Sequence, residues 1–484
     1  MGLSALYRRK RFLIGAVTGV FLCCAYFLAT SGDDKVPIYA PAPATAAVTR
    51  ETTTTPIYKI LRTPGLPQLV VTDRPQPEAI KLPPQSKGGR TATDGHWLLF
   101  SGPQEIFGYS AFYDNRPSLG APPTVVRVIV VSDVTDAKKQ LYCLFRYEGG
   151  VNKTASATRQ AIGAGVYKRG KLYTEYIYTC PVDGTLPPEG VAIVAAPTDV
   201  ASRFLPVEVP ARWPEKMDFG VCVSVAYWNH TAERIVEWME LNRIIGVNHV
   251  IIYNNSLSAE AARVFAHYVA SGFVDLRQST NFIDDPGETT IHMHMSPVIN
   301  DCMYRYMHRF SKILVIDLDE LIVPRAHDNL TLMLAAIETA QTERHPARTY
   351  AFRNAYFFFD WTPDLAQPGR LATLRYRMRA PPSVEGTSAK CIVDPQACWA
   401  MHNHYCWAYT ARFDTDAKEV SVGHSVGLNQ HYKKCHLDAF EKPGACARVL
   451  ANGTPDDTML RFKQRLVPRF EQQMRELDLK NVRR

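Results

Sequence analysis

The clearest pattern of apolar and polar positions lies after residue 214, where short apolar runs alternate with segments of helical period. Residues 220–227 are largely apolar and rich in valine, which predicts a strand. Residues 231–245 place apolar side chains near one helical face, and Gly246 follows as a stop, so they predict a helix. Strands and helices that alternate at this spacing predict right-handed crossovers and a parallel sheet.

Two more units continue this pattern. Residues 248–253 predict a strand that ends in a polar turn at 254–256. Ser258 is a candidate cap for a helix that runs towards Ser271, and residues 273–276 predict a third strand. A helix at about 295–310 then leads into a run of branched aliphatic residues at 313–316, which is typical of a strand buried on both faces.

Two acidic residues directly follow this last strand. Asp317 and Asp319 are separated by Leu318, so on an extended chain both carboxylates point the same way. Open α/β sheets bind ligands at the carboxyl ends of their strands. Paired carboxylates there suit Mg²⁺ or Mn²⁺, and such an ion would hold a diphosphate. The motif therefore predicts a metal-dependent nucleotide-sugar site.

This short motif also has a structural interpretation and a second chemical one. Asp-x-Asp occurs by chance in many chains, and acidic residues after a strand often cap the next turn. Aspartyl-phosphate phosphatases place the motif after an apolar strand, but usually near the start of a domain and before a small residue. Here Glu320 and Leu321 follow it, which disfavours that class. The sequence also lacks the Gly-rich phosphate loops of P-loop kinases and dinucleotide oxidoreductases.

Residues 96–213 have a different pattern, in which short apolar runs are separated by glycine and proline. The clearest run is 125–131, and together the runs predict an antiparallel β module. Cys143 and Cys180 are a candidate disulfide within it. No residue of this module demands a catalytic role, so we expect it to support a domain at 214–484.

The first 95 residues predict a membrane anchor and a stalk. Residues 1–11 end in a basic cluster and should stay cytosolic, while the uncharged run 12–29 is roughly 27 Å long as a helix, enough for a thin bilayer. Residues 30–95 are rich in Pro, Thr and Ala and predict an extended luminal stalk. A cleaved signal peptide is the alternative to the anchor.

Cysteines and sequons agree with a luminal position. Of eleven cysteines, Cys23 and Cys24 lie in the apolar run, and the other nine would form disulfides with at least one left unpaired or bonded to another chain. Five Asn-x-Ser/Thr sequons fit a secreted ectodomain: Asn152, Asn229, Asn254, Asn329 and Asn452. The net charge of +8 is modest for 484 residues, and no basic patch is interleaved with aromatics, so no nucleic acid partner is expected.

The order of several short segments resembles glycosyltransferase family 92, a galactosyltransferase-like family, over residues 112–431. These segments carry the resemblance: Glu237-Trp238, 246–256, Asn300-Asp301-Cys302, Asp317-Leu318-Asp319-Glu320, 390–395, His402 and His431-Tyr432-Lys433. Two positions depart from the family pattern. Asn254 stands where Asp is common, and Lys433 stands where Arg is usual, which keeps the charge but loses a bidentate fork.

The resemblance implies an α/β fold of GT-A type and an inverting β-galactosyltransferase. The protein would be a single-pass type II membrane protein of the Golgi, with its catalytic part in the lumen. UDP-galactose would be the donor, Mn²⁺ or Mg²⁺ the cofactor, and a glycoprotein glycan, including the core fucose of N-glycans, the acceptor. The oligomeric state stays open.

The resemblance and the strand-end argument together assign site residues. Three are expected metal ligands: Asp317, Asp319 and His431. Four are expected to contact the donor: Tyr253, Asn255, Lys390 and Lys433. Asp360, which follows an aromatic run, is the candidate general base on the acceptor hydroxyl, and Glu385 is the alternative. Glu320 is a candidate for orienting the strand-end loop, and His292 and His294 alternate but have no third ligand nearby.

Functions from other classes also fit parts of the chain. A membrane-anchored lectin-like module would share the stalk, the sequons and the disulfides, but it would not need a diphosphate site. An inactive transferase would keep the fold without a competent base. Metal-dependent binding of a nucleotide sugar separates the first of these from an enzyme.

Overall fold

The structure is a computed structural model that describes residues 95–482 apart from short gaps. The gaps are residues 101, 103, 117–123, 135–138, 164, 185, 225, 229, 284–294, 342–346, 411–418 and 438–442. The predicted anchor at 12–29, most of the stalk, and His292 and His294 therefore lie outside the described residues. No helix in the described part of the chain is both long and apolar enough to cross a membrane.

The β-rich stretch forms a sheet of its own. Its strands are β1 Leu98–Leu99, β2 Ile106–Asp114, β3 Val125–Asp133, β4 Tyr142–Arg146, β5 Asn152–Ser156, β6 Thr158–Ala161, β7 Val166–Lys168, β8 Lys171–Pro181, β9 Gly190–Val194 and β10 Leu205–Glu208. The main path runs β5-β4-β9-β10-β2-β3-β8-β6, and its pairs are antiparallel except β10 with β2. The expected Cys143–Cys180 disulfide joins β4 to β8.

The second half of the chain adds a larger set of strands and helices. The strands are β11 Met217–Cys222, β12 Ala226–Trp228, β13 His249–Leu257, β14 Val274–Gln278, β15 Phe310–Val315, β16 Glu320–Pro324, β17 Thr349–Phe352, β18 Asn354–Phe358, β19 Met378–Arg379, β20 Lys390–Val393, β21 Cys398–Met401, β22 Cys406–Tyr409, β23 Glu419–Val422, β24 Gly427–Lys433 and β25 Thr454–Pro455. The helices are α1 Ala232–Ile245, α2 Ala259–Ala270, α3 Met295–Tyr306, α4 Leu330–Ala340, α5 Ala372–Arg375, α6 Ala445–Ala451 and α7 Lys463–Val482.

The predicted parallel units form one half of the central sheet. β14, β13, β11 and β15 lie side by side in that order, and each neighbouring pair is parallel. β20 then pairs with β15 in the antiparallel sense, and β17 and β23 complete that side. The mixed α/β class is thus confirmed. The strand predicted at 248–253 is longer than expected, because β13 continues through the polar residues to Leu257.

The helix caps follow the local sequence. Thr231 accepts a hydrogen bond from the backbone nitrogen of Arg234, and Gly246 ends α1 in the left-handed conformation, with φ of 107°. Ser258 caps α2 in the same way through the nitrogen of Ala261. Such caps satisfy backbone groups that a helix end leaves without partners.

The central sheet is covered on both faces, as buried parallel strands require. On one face, Val221, Val250 and Leu314 pack in a core that also holds side chains of α1, α2, α4 and α7. On the other, Ile251 and Ile313 pack with α3 and with residues of β2, β3 and β8. The β-rich sheet thereby supports the side of the central sheet on which α3 lies.

Disulfides account for most of the described cysteines. Cys222–Cys302 ties the end of β11 to α3, and Cys398–Cys406 closes the β21–β22 hairpin. Cys391 is free and buried, which confirms the expected unpaired cysteine. Residues 435–451 belong to a separate compact unit, in which Cys435–Cys446 reaches α6.

Candidate functional site

The acidic motif lies where the strand order of the central sheet reverses. Along the chain the parallel strands add outwards from β11 through β13 to β14, and then β15 returns to the other side of β11. Ligands bind in open α/β sheets at such a switch, outside the carboxyl ends of the strands. Ser224 follows β11 and Asp317 follows β15, and the serine hydroxyl donates to Asp317 Oδ1 at 2.6 Å.

Asp317 and Asp319 occupy a tight turn between β15 and β16. The backbone nitrogen of Glu320 donates to the carbonyl of Asp317 at 3.1 Å, and the nitrogen of Asp317 donates to Glu320 Oε2 at 3.0 Å. Leu318 is buried, whereas the side chains of Asp317 and Asp319 are 28% and 35% exposed. Both carboxylates are thus partly accessible, and a turn rather than the expected extended chain presents them.

Lys390 is the buried cation of this site. Its side chain is 1% exposed, and its Nζ lies 2.8 Å from Asp317 Oδ2 and 3.1 Å from Glu320 Oε2. The same nitrogen donates to Asn403 Oδ1 at 2.8 Å. The antiparallel register, in which Cys391 faces Val315, brings Lys390 alongside the end of β15. Lys390 was expected to contact donor phosphate, and here it neutralises the protein's own carboxylates.

His431 reaches the acidic turn through a small second sheet. β16, β24 and β18 pair side by side, and Glu320, His431 and Tyr356 form one row across them. His431 Nε2 lies 3.0 Å from Asp319 Oδ2, and Nδ1 lies 3.2 Å from Glu320 Oε1. The Tyr356 ring lies beside the imidazole, with 5.2 Å between ring centroids. Asp319 and His431, which were both expected to be metal ligands, therefore lie in contact.

The pKa values of the three carboxyl groups in the acidic turn are shifted in different directions. Burial alone would raise the pKa of Asp317, but Lys390 and Ser224 hold it below the usual range. Burial is likewise outweighed at Asp319, whose pKa is lowered by His431, Lys433 and His230. At Glu320, burial and the neighbouring carboxylates prevail and raise the pKa. The two aspartates thus stay charged at neutral pH and give the accessible surface of the site a negative charge.

A divalent cation fits beside Asp319 but not beside Asp317. Lys390 and Ser224 already satisfy Asp317, whereas Asp319 is more exposed and lies against a histidine nitrogen that can act as a ligand. No group of three His, Cys, Asp or Glu side chains in the described part of the chain has the arrangement of a metal site. Mg²⁺ and Mn²⁺ commonly use one or two protein ligands and take the rest from phosphates and water. Asp319 and His431 fit that kind of site.

A hairpin covers the buried lysine. β21 and β22 pair, and the loop between them carries His402, Asn403 and His404. Burial and the charge of Lys390 lower the pKa of His402 to about 4 and that of His404 to about 3. Both imidazoles are therefore neutral at pH 7, and the hairpin adds no positive charge next to Lys390.

The other predicted residues lie on β24 and in two turns. Lys433 is two residues beyond His431 on β24, with its Nζ 5.9 Å from the centroid of the Tyr356 ring. Asp360 is exposed in the turn after β18, next to Phe359, whose nitrogen donates to the Lys433 carbonyl. Glu385 is exposed in a turn before β20.

The two donor contacts expected on β13 have local partners. Tyr253 is buried in the core beside α3, and its hydroxyl donates to Asp301 Oδ2 at 2.6 Å. Asn255 donates to the carbonyl of Ser279 at 3.2 Å, across the sheet edge. Among the described contacts, neither residue touches Asp317 or Asp319.

Several residues that complete the site were not singled out from the sequence. Ser224 lies inside the strand predicted at 220–227, and only the observed end of β11 at Cys222 places it just beyond a strand. Asn403 and Asn429 gave no local signal, because each reaches the site from a distant loop or strand. Trp238, in a segment that carried the resemblance, donates from its indole nitrogen to the Glu320 carbonyl at 2.7 Å and so fixes the turn from α1.

Comparison with known proteins places these elements in a family. Residues 217–480 match the family model of glycosyltransferase family 92, which is more than half of the chain. A glycosyltransferase family 92 protein of Caenorhabditis elegans is 23% identical over 243 residues. That alignment covers 48% of this chain and 46% of the relative, so the chain spans about half of the relative's length. The region that matches the family model contains β11–β25 and every residue of the acidic turn described above.

Proposed function

The chain belongs to glycosyltransferase family 92, and from this premise we propose that it is a metal-dependent inverting glycosyltransferase with UDP-galactose as donor. Membership of the family indicates glycosyl transfer. The observation that carries the metal dependence is the meeting of Asp319 and His431 at 3.0 Å beside carboxylates that are already paired with Lys390.

Charge supports a cation in this site. The donor's diphosphate is anionic, and the accessible carboxylates of Asp317 and Asp319 would repel it. Asp319 and His431 would hold Mn²⁺ or Mg²⁺ against the diphosphate. The bound ion would supply the charge neutralisation that stabilises the departing UDP. Lys433, two residues from His431, adds a positive charge on the same strand.

Transfer with inversion requires a single displacement. An acceptor hydroxyl oxygen would form a bond to the anomeric carbon as the bond from that carbon to the UDP oxygen breaks. Asp360 remains our candidate for the carboxylate that accepts the hydroxyl proton, because it is exposed and the pairing of β18 with β24 brings it near Lys433. Glu385, exposed in the turn before β20, is the alternative.

The acceptor and the compartment rest on the family resemblance and on the amino-terminal sequence. We propose a glycoprotein glycan as acceptor, with the core fucose of N-glycans as one candidate. The uncharged run at 12–29 and the disulfides support a luminal enzyme anchored in the Golgi membrane. A lectin-like or inactive module is the alternative, and it predicts no turnover.

Substitution of Asp319 tests the proposal. Asp319→Asn keeps the shape of the side chain but removes the charge on the proposed metal ligand, and we expect transfer from UDP-galactose to fall by at least about 100-fold. Asp394→Asn is the matched control, because Asp394 pairs with Arg348 beyond the opposite end of β20 from Lys390. The measurement is the initial rate of both variants as secreted ectodomains with Mn²⁺. Wild-type activity in Asp319→Asn would rule out this ligand.

A further inference from the structure

The β21–β22 hairpin carries three aromatic rings at its tip, those of His402, Tyr405 and Trp407, which together are called the aromatic tip. We propose that the aromatic tip binds the apolar face of a neutral sugar ring of the acceptor glycan, and that the sugar stacks on Tyr405. That the sugar belongs to the acceptor rests on the proposed function. The binding surface itself rests on the geometry and the charge of the hairpin.

The three rings of the aromatic tip contact one another. The rings of Tyr405 and His402 stack, with 4.5 Å between their centroids and 27° between their planes. Trp407 meets Tyr405 edge to face at 4.9 Å and His402 at 5.9 Å. Tyr405 and Trp407 are half-buried, so part of each ring stays accessible. A pyranose presents C–H groups on its apolar face, and an accessible aromatic ring suits that face because both are apolar and flat.

Contacts from α3 and from the β-rich sheet hold the hairpin in place. The side chain of Asn300 donates to the Met401 carbonyl at 2.7 Å and accepts from the Met401 nitrogen at 2.9 Å. The indole nitrogen of Trp407 donates to the Ile162 carbonyl, just after β6, at 3.2 Å. The hairpin disulfide ties β21 to β22. A surface that is already ordered loses little conformational entropy when a ligand binds.

The aromatic tip adjoins the Asp317 side of the acidic turn. Asn403, in the same loop, accepts from Lys390 Nζ at 2.8 Å, and that nitrogen lies 2.8 Å from Asp317 Oδ2. The proposed cation and the diphosphate lie on the other side, at Asp319 and His431. A donor placed there leaves the Asp317 side for the sugars that react, so an acceptor sugar on the aromatic tip would lie next to the donor.

Charge favours a neutral sugar on the aromatic tip over the diphosphate of the donor. Residues 398–410 contain no Asp, Glu, Lys or Arg. Burial and the charge of Lys390 lower the pKa values of His402 and His404, so both imidazoles are neutral at pH 7. Phosphate groups are bound by cationic side chains or by metal ions. The hairpin tip itself supplies no cationic side chain, which suits an uncharged ligand.

Binding of a glycan to the secreted ectodomain tests the aromatic tip without relying on turnover. The probe is a released N-glycan that carries core fucose and no galactose, and saturation-transfer NMR identifies the sugar that packs against the protein. We expect C–H protons of one sugar to be saturated in the wild type and in Tyr405→Phe, which keeps the ring. Tyr405→Ala should bind the glycan about 10-fold more weakly, because the stacking surface is lost, and should bind Mn²⁺ with UDP as tightly as the wild type.

Tyr167→Ala is the matched control, because Tyr167 is 60% exposed on β7 of the β-rich sheet, and glycan binding should not change. If Tyr405→Ala fails to fold, Tyr405→Leu takes its place, since leucine stays apolar but has no ring. Wild-type glycan affinity in either variant would overturn the stacking role of Tyr405. So would a wild type in which no glycan proton is saturated. Glycan binding by a wild type that does not bind Mn²⁺ with UDP would support the aromatic tip but contradict the proposed function.

Discussion

Lys390 determines the charge balance of the site at the scale of single residues. Its ammonium is buried between Asp317 and Glu320, where burial would lower its pKa, but the two carboxylates outweigh that effect and raise it. A buried charge that keeps its partners is tolerated, whereas removal of one partner leaves the others uncompensated. Lys390 is therefore expected to matter for folding before it matters for donor binding.

Lys390→Met tests this directly. Methionine keeps most of the side-chain volume but leaves Asp317 and Glu320 without a cation, so the free energy of unfolding should fall by about 3–5 kcal/mol. Denaturant unfolding of the ectodomain measures it. Lys433→Met, at a partly exposed lysine on the neighbouring sheet, should cost at most about 1 kcal/mol. Equal losses in the two variants would contradict the internal role of Lys390.

The sequence predicted the acidic side chains of the site better than their partners. Asp317 and Asp319 follow a strand that is evident from its own residues, so the strand-end argument located them. Lys390 was identified as a candidate, yet its partners depend on the register of β20 against β15, which local sequence does not encode. The contacts of His431 likewise depend on the pairing of β24 with β16, more than a hundred residues away.

At the scale of elements, cap residues explain which helices the sequence revealed. Thr231, Ser258 and Gly246 gave α1 and α2 their bounds to within about one residue. α4 was missed, because Asn329 was interpreted only as a glycosylation sequon. In the structure its side chain accepts from the nitrogen of Leu332 at 2.8 Å and caps that helix. Asparagine serves both as a helix cap and as a glycosylation site, so the local sequence did not distinguish the two roles.

The Cys222–Cys302 disulfide should contribute more stability than the hairpin disulfide. It closes a sequence separation of 80 residues and fixes α3 to the end of β11, next to Ser224. Loop-closure entropy then predicts a loss of about 4.5 kcal/mol for a Cys222→Ala/Cys302→Ala variant. The separation of 8 between Cys398 and Cys406 predicts about 2.5 kcal/mol. Denaturant unfolding compares the two variants, and a larger loss for the hairpin would contradict this ranking.

At the scale of the whole molecule, Glu175 predicts how stability depends on pH. It lies on β8, is 1% exposed, and packs with Ser296 of α3 around Gly163. Burial raises its pKa well above the 4.5 of an exposed glutamate, and the Ser296 hydroxyl offsets only part of that. The folded protein therefore keeps a proton that the unfolded chain releases near pH 4.5.

The stability contributed by this proton is present at low pH and is lost as pH rises from 4.5 through the folded pKa. Glu175→Gln cannot ionise, so in this variant the free energy of unfolding should fall less steeply with pH, by up to about 1.4 kcal/mol per pH unit. Unfolding of the ectodomain across this range of pH measures the slope. Glu148→Gln, at an exposed position of the turn between β4 and β5, should leave the slope unchanged. A wild-type slope in Glu175→Gln would show that Glu175 is already ionised.

The most direct test of the proposed activity is turnover of nucleotide sugars by the secreted ectodomain that begins at residue 95. A panel of donors is assayed for hydrolysis and for transfer to glycoprotein glycans, with Mn²⁺ and with EDTA. We predict turnover of UDP-galactose that requires Mn²⁺ and stops in EDTA. Turnover that EDTA does not affect would contradict the metal site at Asp319 and His431. No turnover of any donor and no metal-dependent binding of UDP would favour a binding module instead.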